Sequence, residues 1–367
     1  MEDLAQLLTY FAQERPVGTE HNTELLSWFE QRASASGYKI EHIPLDCAGW
    51  NHDSCSLCIA DELYTILPSP YSLPFNGTLS MVFVSQAEQL SKGMAKNRLL
   101  VVSDSLAAKP IGDADLLHAL EQTQASALLC LTSGHSHSGR SPFPLIAHAT
   151  FATPSAYAPR SILGSLLQAK EDGLAIRFCI RSNRKQNASF SLLFKPKDIQ
   201  PKHIVVTTRL DTKYGTKGAL DRGASLVVLA ALLERLGPTT SVYWYLRNGE
   251  AYDSREILAL LPDSLSTQAL VVDLGCIGLK DSKTTFELRG KWKANNALKS
   301  YLLAQGYVEV PVTDSDSTPI LHIVSEDAER LYRLIDTQLD TVDQISLPVL
   351  EQLAEHLAHL VTQGENI

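Results

Sequence analysis

Nothing in this 367-residue sequence approaches the roughly 20 consecutive apolar residues that a bilayer-spanning helix requires; the longest apolar run covers only 226–233. The opening MEDLAQLLTYFAQE has no basic n-region and no apolar h-region, and it is acidic from its second residue. Both absences argue against a secretory leader and a membrane partner, and they set cytoplasmic location as the expectation. Basic stripes are missing as well. With 32 Lys and Arg against 41 Asp and Glu, the formal net charge is −9, which excludes a phosphate-backbone partner such as nucleic acid. There is no internal repeat and no low-complexity tract.

Cysteine is scarce and scattered: Cys47, Cys55, Cys58, Cys130, Cys179 and Cys276. This usage suits reduced thiols. Cys55 and Cys58 form a CxxC, the spacing of half a zinc knuckle or of a redox pair. No second CxxC or nearby HxxxH completes a knuckle, and no βαβ pattern surrounds it, so packing cysteines are the reading.

What the sequence does contain is a globular balance, 44% apolar and 20% charged, and a length that allows one large domain or two ordinary ones. Apolar spacing predicts a helix over 4–11, a break at ERPVGTEHN, a second helix over 23–35 and a short strand at YKIEHIPL. From residue 47 to 181 the punctuation changes to Pro and Gly between short strands such as LSMVFVS, RLLVVSD and ALLCLTS. That block reads as a separate β-rich subdomain. From 203 onward, apolar strands alternate with helices: HIVVTTRLD, a helix over 224–236, SVYWYLRNG, ALVVDLG, a helix over 294–305, ILHIVS and a final helix over 348–361. Such alternation implies an α/β domain whose central sheet is mainly parallel and flanked by helices. Ligands of such sheets sit beyond the carboxyl ends of the strands, where Asp211, Glu250 and Asp273 fall. Asp221 lies just before the long apolar helix. One acid at a strand end is a cap, whereas four converging acids repel unless a cation sits among them, so they mark a site.

Here the residues resemble those of a family. TTRLDTKYGTKGALDRGASLVVLAALLERL is similar to the M28 zinc-peptidase pattern AHxD(T/S) followed by PGAxDNxSG and a helix. YLRNGEAYDS resembles its NGEE strand, ALVVDLGCIG its NxDMxG strand, and DTQLDTVDQIS its HTxxDTxDxIS segment. ERPVGTEHN and GYKIE resemble its RPxGSxxN and GYxVE. The 47–181 block, with PSPYS and TPSAYAPRSILGSLL, resembles the protease-associated (PA) insert of some such enzymes. The resemblance implies a zinc-exopeptidase-like α/β domain built from 1–46 and 182–367, with a PA-like domain inserted at 47–181.

It also implies two zinc ions, a bridging carboxylate and a glutamate that activates metal-bound water. The bridging position is Asp221, the general-base position Glu250, and the Asp ligand of the other metal Asp273. The remaining ligand positions are altered. The first His falls on Arg209, which stays protonated, the Glu after the base on Ala251, and the closing His on Asp336. Asp211, the orienting acid, has no His to orient. Arg209 is expected to pair with Asp221 or Asp273 in place of zinc. His135 and His137 form an HxH in a polar loop and read as solvated, His322 as a packed core histidine, and His356 and His359 as a solvated helix face.

The reading is therefore an M28 peptidase-like protein that is not a catalyst, a scaffold or binding module for an unidentified protein or peptide, with no cofactor. The alternative is an active exopeptidase with an oxygen-rich site at Asp221, Asp273, Asp336 and Glu250. Such hard donors suit Mg²⁺, Mn²⁺ or Ca²⁺ better than zinc.

Overall fold

The computed structural model describes residues 3–103, 106, 114–132, 149–196, 204–238, 242–251, 270–290, 292, 295–312 and 320–363. Its elements run α1 (Leu4–Phe11), α2 (Glu20–Ala35), β1 (Lys39–Ile59), β2 (Glu62–Thr65), β3 (Leu67–Pro68), β4 (Phe75–Leu79), β5 (Met81–Val84) and β6 (Leu99–Val102). There follow α3 (Ala114–Gln122), β7 (Ala127–Thr132), β8 (Ser155–Pro159), α4 (Leu163–Glu171), β9 (Ile176–Lys195), β10 (Ile204–Arg209), α5 (Ala224–Leu236) and β11 (Val242–Arg247). The chain closes with β12 (Leu270–Leu274), β13 (Thr284–Leu288), α6 (Asn296–Ala304), β14 (Val308–Glu309), β15 (Ile320–Ser325), α7 (Ala328–Leu334) and α8 (Leu347–Gln363).

Two compact units emerge, Met1–Cys47 with Ala188–Ile367, and Ala48–Asn187. In the first, the strands lie in the order β14-β13-β15-β12-β10-β11-β9-β1. Its heart is parallel: β10 pairs with β11 on one side and β12 on the other, and β12 pairs with β15. Toward the edges β9 joins β11 and β13 joins β15 in antiparallel fashion, so the sheet is mixed rather than purely parallel.

The sequence explains the parallel heart. All six residues of β11 and all five of β12 are buried, as expected for strands covered on both faces. Side chains alternate between two cores: Val206, Trp244, Val272 and Leu321 face the larger one, and Val205, Tyr243, Tyr245 and Val271 the smaller. The helix α5, buried from Ala224 to Leu233, covers the larger core between α1 and α8. Truncating Trp244, which is fully buried, to Ala would cost about 3–5 kcal/mol.

In the second unit β5, β6, β7 and β8 form a parallel row, closed by β3 in antiparallel pairing with β8. Two apolar clusters form there, one around Leu99, Leu129 and Phe178, the other around Leu100, Leu128 and Leu120. β2 pairs with the end of β1, and β4 with the start of β9. Both β1 and β9 begin in one unit and end in the other, so the chain passes from unit to unit within strands rather than at turns. Cys55 is buried beside Leu57 and Ile59 in the apolar cluster of this unit. No described helix is long and apolar enough to cross a membrane.

A candidate site neutralised by arginines

Strand register assembles the site. In the parallel pairing of β10 with β11, Arg209 stands opposite Arg247, both at the last strand position. β10 and β12 place Thr207 beside Asp273, and β12 and β15 place Asp273 beside His322. Four side chains from four strands thus reach the same carboxyl edge, neighbouring strands being about 4.8 Å apart.

Asp221 enters from the turn before α5. Gly218 opens that turn at φ +61°, where an added Cβ would lie 2.4 Å from Thr212 Cγ2, and Arg222 also takes a positive φ of 79°. Two distant groups hold the turn. Asp340 accepts the backbone N–H groups of Leu220 at 2.5 Å and Asp221 at 2.9 Å. Arg15, fully buried, donates to the carbonyls of Leu210, Phe11, Gln13, Lys217, Gly218 and Asp221. The break at ERPVGTEHN thus carries, in Arg15, an anchor of the site.

With its turn fixed, the Asp221 carboxylate meets Arg209, whose Nη2 lies 2.6 Å from both Oδ1 and Oδ2. Arg209 Nε–H donates to the Asp211 carbonyl at 3.0 Å and stands 3.9 Å from Asp211 Oδ1. Of the two partners expected for Arg209, Asp221 is the one it takes. Asp273 goes to Arg247, whose Nη2 is 2.7 Å from Oδ1, while His322 Nδ1 is 2.8 Å from Oδ2. Arg247 also reaches Glu250 Oε2 with Nη1 at 2.9 Å. Asp211 has a different task from orienting a histidine: its carboxylate accepts the N–H groups of Glu250 at 3.2 Å and Ala251 at 2.8 Å. Asp336, at φ +61°, pairs with Lys213 Nζ at 2.6 Å. It joins the cluster through that lysine.

Charge follows geometry. Burial alone would raise the Asp221 and Asp273 carboxyls. Arg209, Arg222, Arg15 and Lys213 bring Asp221 below its ordinary value, and Arg247, the His322 bond and Arg222 hold Asp273 far below it. Glu250, Asp211 and Asp336 stay raised because burial outweighs their cations. Burial pushes Asp340 up to about 7. For Arg209, burial works against the guanidinium, but Asp221, Asp211 and Asp336 hold its proton more firmly than usual.

The donor set does not fit a zinc pair. Both oxygens of Asp221 and both of Asp273 are engaged by Arg209, Arg247 and His322. Among the described residues, no three of His, Cys, Asp and Glu are grouped to hold a metal ion. Zinc prefers imidazole or thiolate ligands and cannot share a carboxylate edge with a guanidinium that never deprotonates.

Comparison with known proteins places this architecture. Neither a protein-family model nor a curated protein sequence matches the chain. Solved structures do. A zinc aminopeptidase from Bacillus subtilis aligns with TM-score 0.72 at 12% identity, over 99% of this chain and 94% of that one. The aminopeptidase from Aneurinibacillus sp. strain AM-1 aligns with TM-score 0.68 at 17% identity, over 98% and 92%. A peptidase M28 precursor from Shewanella amazonensis gives TM-score 0.68 at 13% identity, over 98% and 92%.

The chain shares the fold of these peptidases. Identities this low carry the fold alone, and the chemistry must be read from the site.

His322, read from sequence as a packed core histidine, instead has a 28% exposed side chain bonded to Asp273. His359 is exposed, as expected of a solvated helix face, with its ring stacked on Tyr301, whereas His356 is half-buried with Nδ1 3.1 Å from Tyr307 Oη. His135 and His137 lie outside the described residues. Sequence reasoning passed over Arg247, Arg15, Arg222, Lys213 and Asp340. For Arg247 the available signal was a cation ending the wholly apolar run VYWYL. For Asp340 it was the DT of DTQLDTVDQIS.

Proposed function

We propose that this protein is a non-catalytic relative of the M28 aminopeptidases, a scaffold or binding module that recognises a protein or peptide without cleaving it. One observation carries the reading: Arg209 places a permanent cation 2.6 Å from both oxygens of the acid at the bridging position. A metal ion there would have to displace a buried ion pair and then face a like charge. Arg209, Lys213, Arg222 and Arg247 together carry the formal charge of two divalent ions, and they neutralise acids that a dizinc enzyme would keep for its metals. Glu250, at the position of the base, is tied to Arg247 at 2.9 Å instead of facing a metal-bound water. No resident cofactor belongs to this reading, and its place is the cytoplasm. The unit Ala48–Asn187, in the role of a PA-like insert, is the natural contributor of partner surface.

The test is a scan of aminoacyl-nitroanilide substrates with the purified protein, alone and with added Zn²⁺, Mn²⁺ or Mg²⁺. No turnover above background under any condition is expected. Turnover that rises in proportion to bound metal would overturn the reading in favour of an exopeptidase with an oxygen-rich site.

A further inference from the structure

β11 is buried along its whole length, and its last residue is an arginine whose side chain is only 4% exposed. A guanidinium this deep must find acceptors, because its donors cannot be left in a dry interior and its proton cannot be shed. Arg247 finds them on three segments. Nε–H donates to Thr207 Oγ1 on β10 at 3.0 Å, Nη1 to Glu250 Oε2 at 2.9 Å and Nη2 to Asp273 Oδ1 on β12 at 2.7 Å. Thr207 spends its own hydroxyl proton on the Tyr245 carbonyl at 2.7 Å, which leaves its lone pairs for Arg247. The fork is planar and rigid, so one side chain fixes the relative position of two acids on different segments, Asp273 on β12 and Glu250 in the loop after β11.

We propose that Arg247 is the blocking cation of the site. It holds Glu250 and Asp273 in an organic ion pair that must be broken before any divalent ion can enter, so repair of the ligand positions at 209, 251 and 336 does not by itself rebuild a metal centre. This rests on the non-catalytic reading and deepens it. Zinc binds carboxylate oxygen at about 2.0–2.2 Å. At Asp273 that approach is closed on both sides, by Arg247 on Oδ1 and by His322 on Oδ2 at 2.8 Å. Arg209 is the lesser obstacle: its side chain is 15% exposed and a His in its place removes the charge, whereas Arg247 stays buried between its two acids. Arg247 is a positioning residue here, acting on the two acids and not on a substrate.

The experiment is calorimetric titration with Zn²⁺ alone of three full-length proteins, each checked by circular dichroism. They are the parent, the triple variant Arg209→His/Ala251→Glu/Asp336→His, and the triple variant with Arg247→Met added. Equally weak binding by parent and triple variant is expected, with the quadruple variant tighter by about tenfold or more. A triple variant that binds as tightly as the quadruple overturns the proposal, and so does a folded quadruple variant no tighter than the triple. Tight zinc binding by the parent would instead sink the reading beneath it. Should the quadruple variant fail to fold, the parent background decides. The clamp requires that Arg247→Met lower the melting temperature and that Glu250→Gln in addition restore part of the loss. Absence of any restoration overturns the proposal as well.

Discussion

Arg15 Nη2 donates to the Asp221 carbonyl at 2.8 Å, although 206 residues of chain separate the two. A fully buried cation from the first helix-loop segment therefore sets the backbone on which the central acid of the site is carried. Burial brings the Arg15 guanidinium down to about 10, which still leaves it charged at neutral pH. Replacing Arg15 by Met would orphan several buried carbonyls at once. The expected loss is about 3–5 kcal/mol in urea unfolding, and Arg15→Lys should recover little because a lysine lacks the planar fork. A loss below about 1 kcal/mol would show that these bonds do not anchor the turn.

Arg209→Ala leaves the Asp221 carboxylate without the guanidinium on its two oxygens. A destabilisation of a few kcal/mol is expected, read as a lowered melting temperature. Adding Asp221→Asn should return part of it by removing the uncompensated charge. An unchanged melting temperature in the single variant would count against the idea that Arg209 replaces the metal as a structural cation.

How far the sequence revealed this arrangement depends on how local each signal was. The strands carrying Arg209, Arg247 and Asp273 were legible as apolar runs, and Asp221 was legible from the glycine-flanked turn before an apolar helix. The longest strands were not. SNRKQNAS lies in the middle of β9, where half of its residues are exposed and the rest only partly buried, so no apolar alternation marks it as strand. Arg247 looked like the polar end of a strand. Its burial comes from β10 and β12, partners that only the folded register supplies. The same holds for His322, whose partner Asp273 is set by the pairing of β12 with β15. Arg15 sat in a Pro- and Gly-broken segment with no apolar pattern, so no periodicity marked it as buried.

Stability should depend on pH through Asp340. Its carboxyl titrates near 3.8 when unfolded and is pushed up to about 7 by burial in the fold. Between those values the native state holds a proton that the unfolded state lacks, so this group's contribution falls by a few kcal/mol as pH rises from about 4 to about 7. Asp221 and Asp273 act in the opposite sense. Their folded values lie below 3.8, so their stabilisation is complete above about pH 4 and is lost as pH falls further. Unfolding free energies of parent and Asp340→Asn, measured from pH 4 to pH 8, should show the parent losing stability relative to the variant as pH rises. Parallel profiles would rule out Asp340 as the titrating group.

Gly218→Ala probes the turn itself. The new Cβ would sit 2.4 Å from Thr212 Cγ2 on a backbone at φ +61°, so both contact and conformation oppose it. A loss of about 2 kcal/mol or more is expected, partly relieved by Thr212→Ser, which removes the opposing methyl. Equal stability of Gly218→Ala and parent would mean that the turn carrying Asp221 relaxes freely.

The central claim, that arginines stand where a zinc peptidase keeps its metals, is tested most directly by the metal content of the purified protein. Elemental mass spectrometry of protein prepared without chelator, and again after incubation with Zn²⁺ and gel filtration, should find less than about one zinc per chain in both samples, since Arg209 and Arg247 already engage the carboxylates of Asp221 and Asp273. Two zinc ions retained per chain would contradict the account.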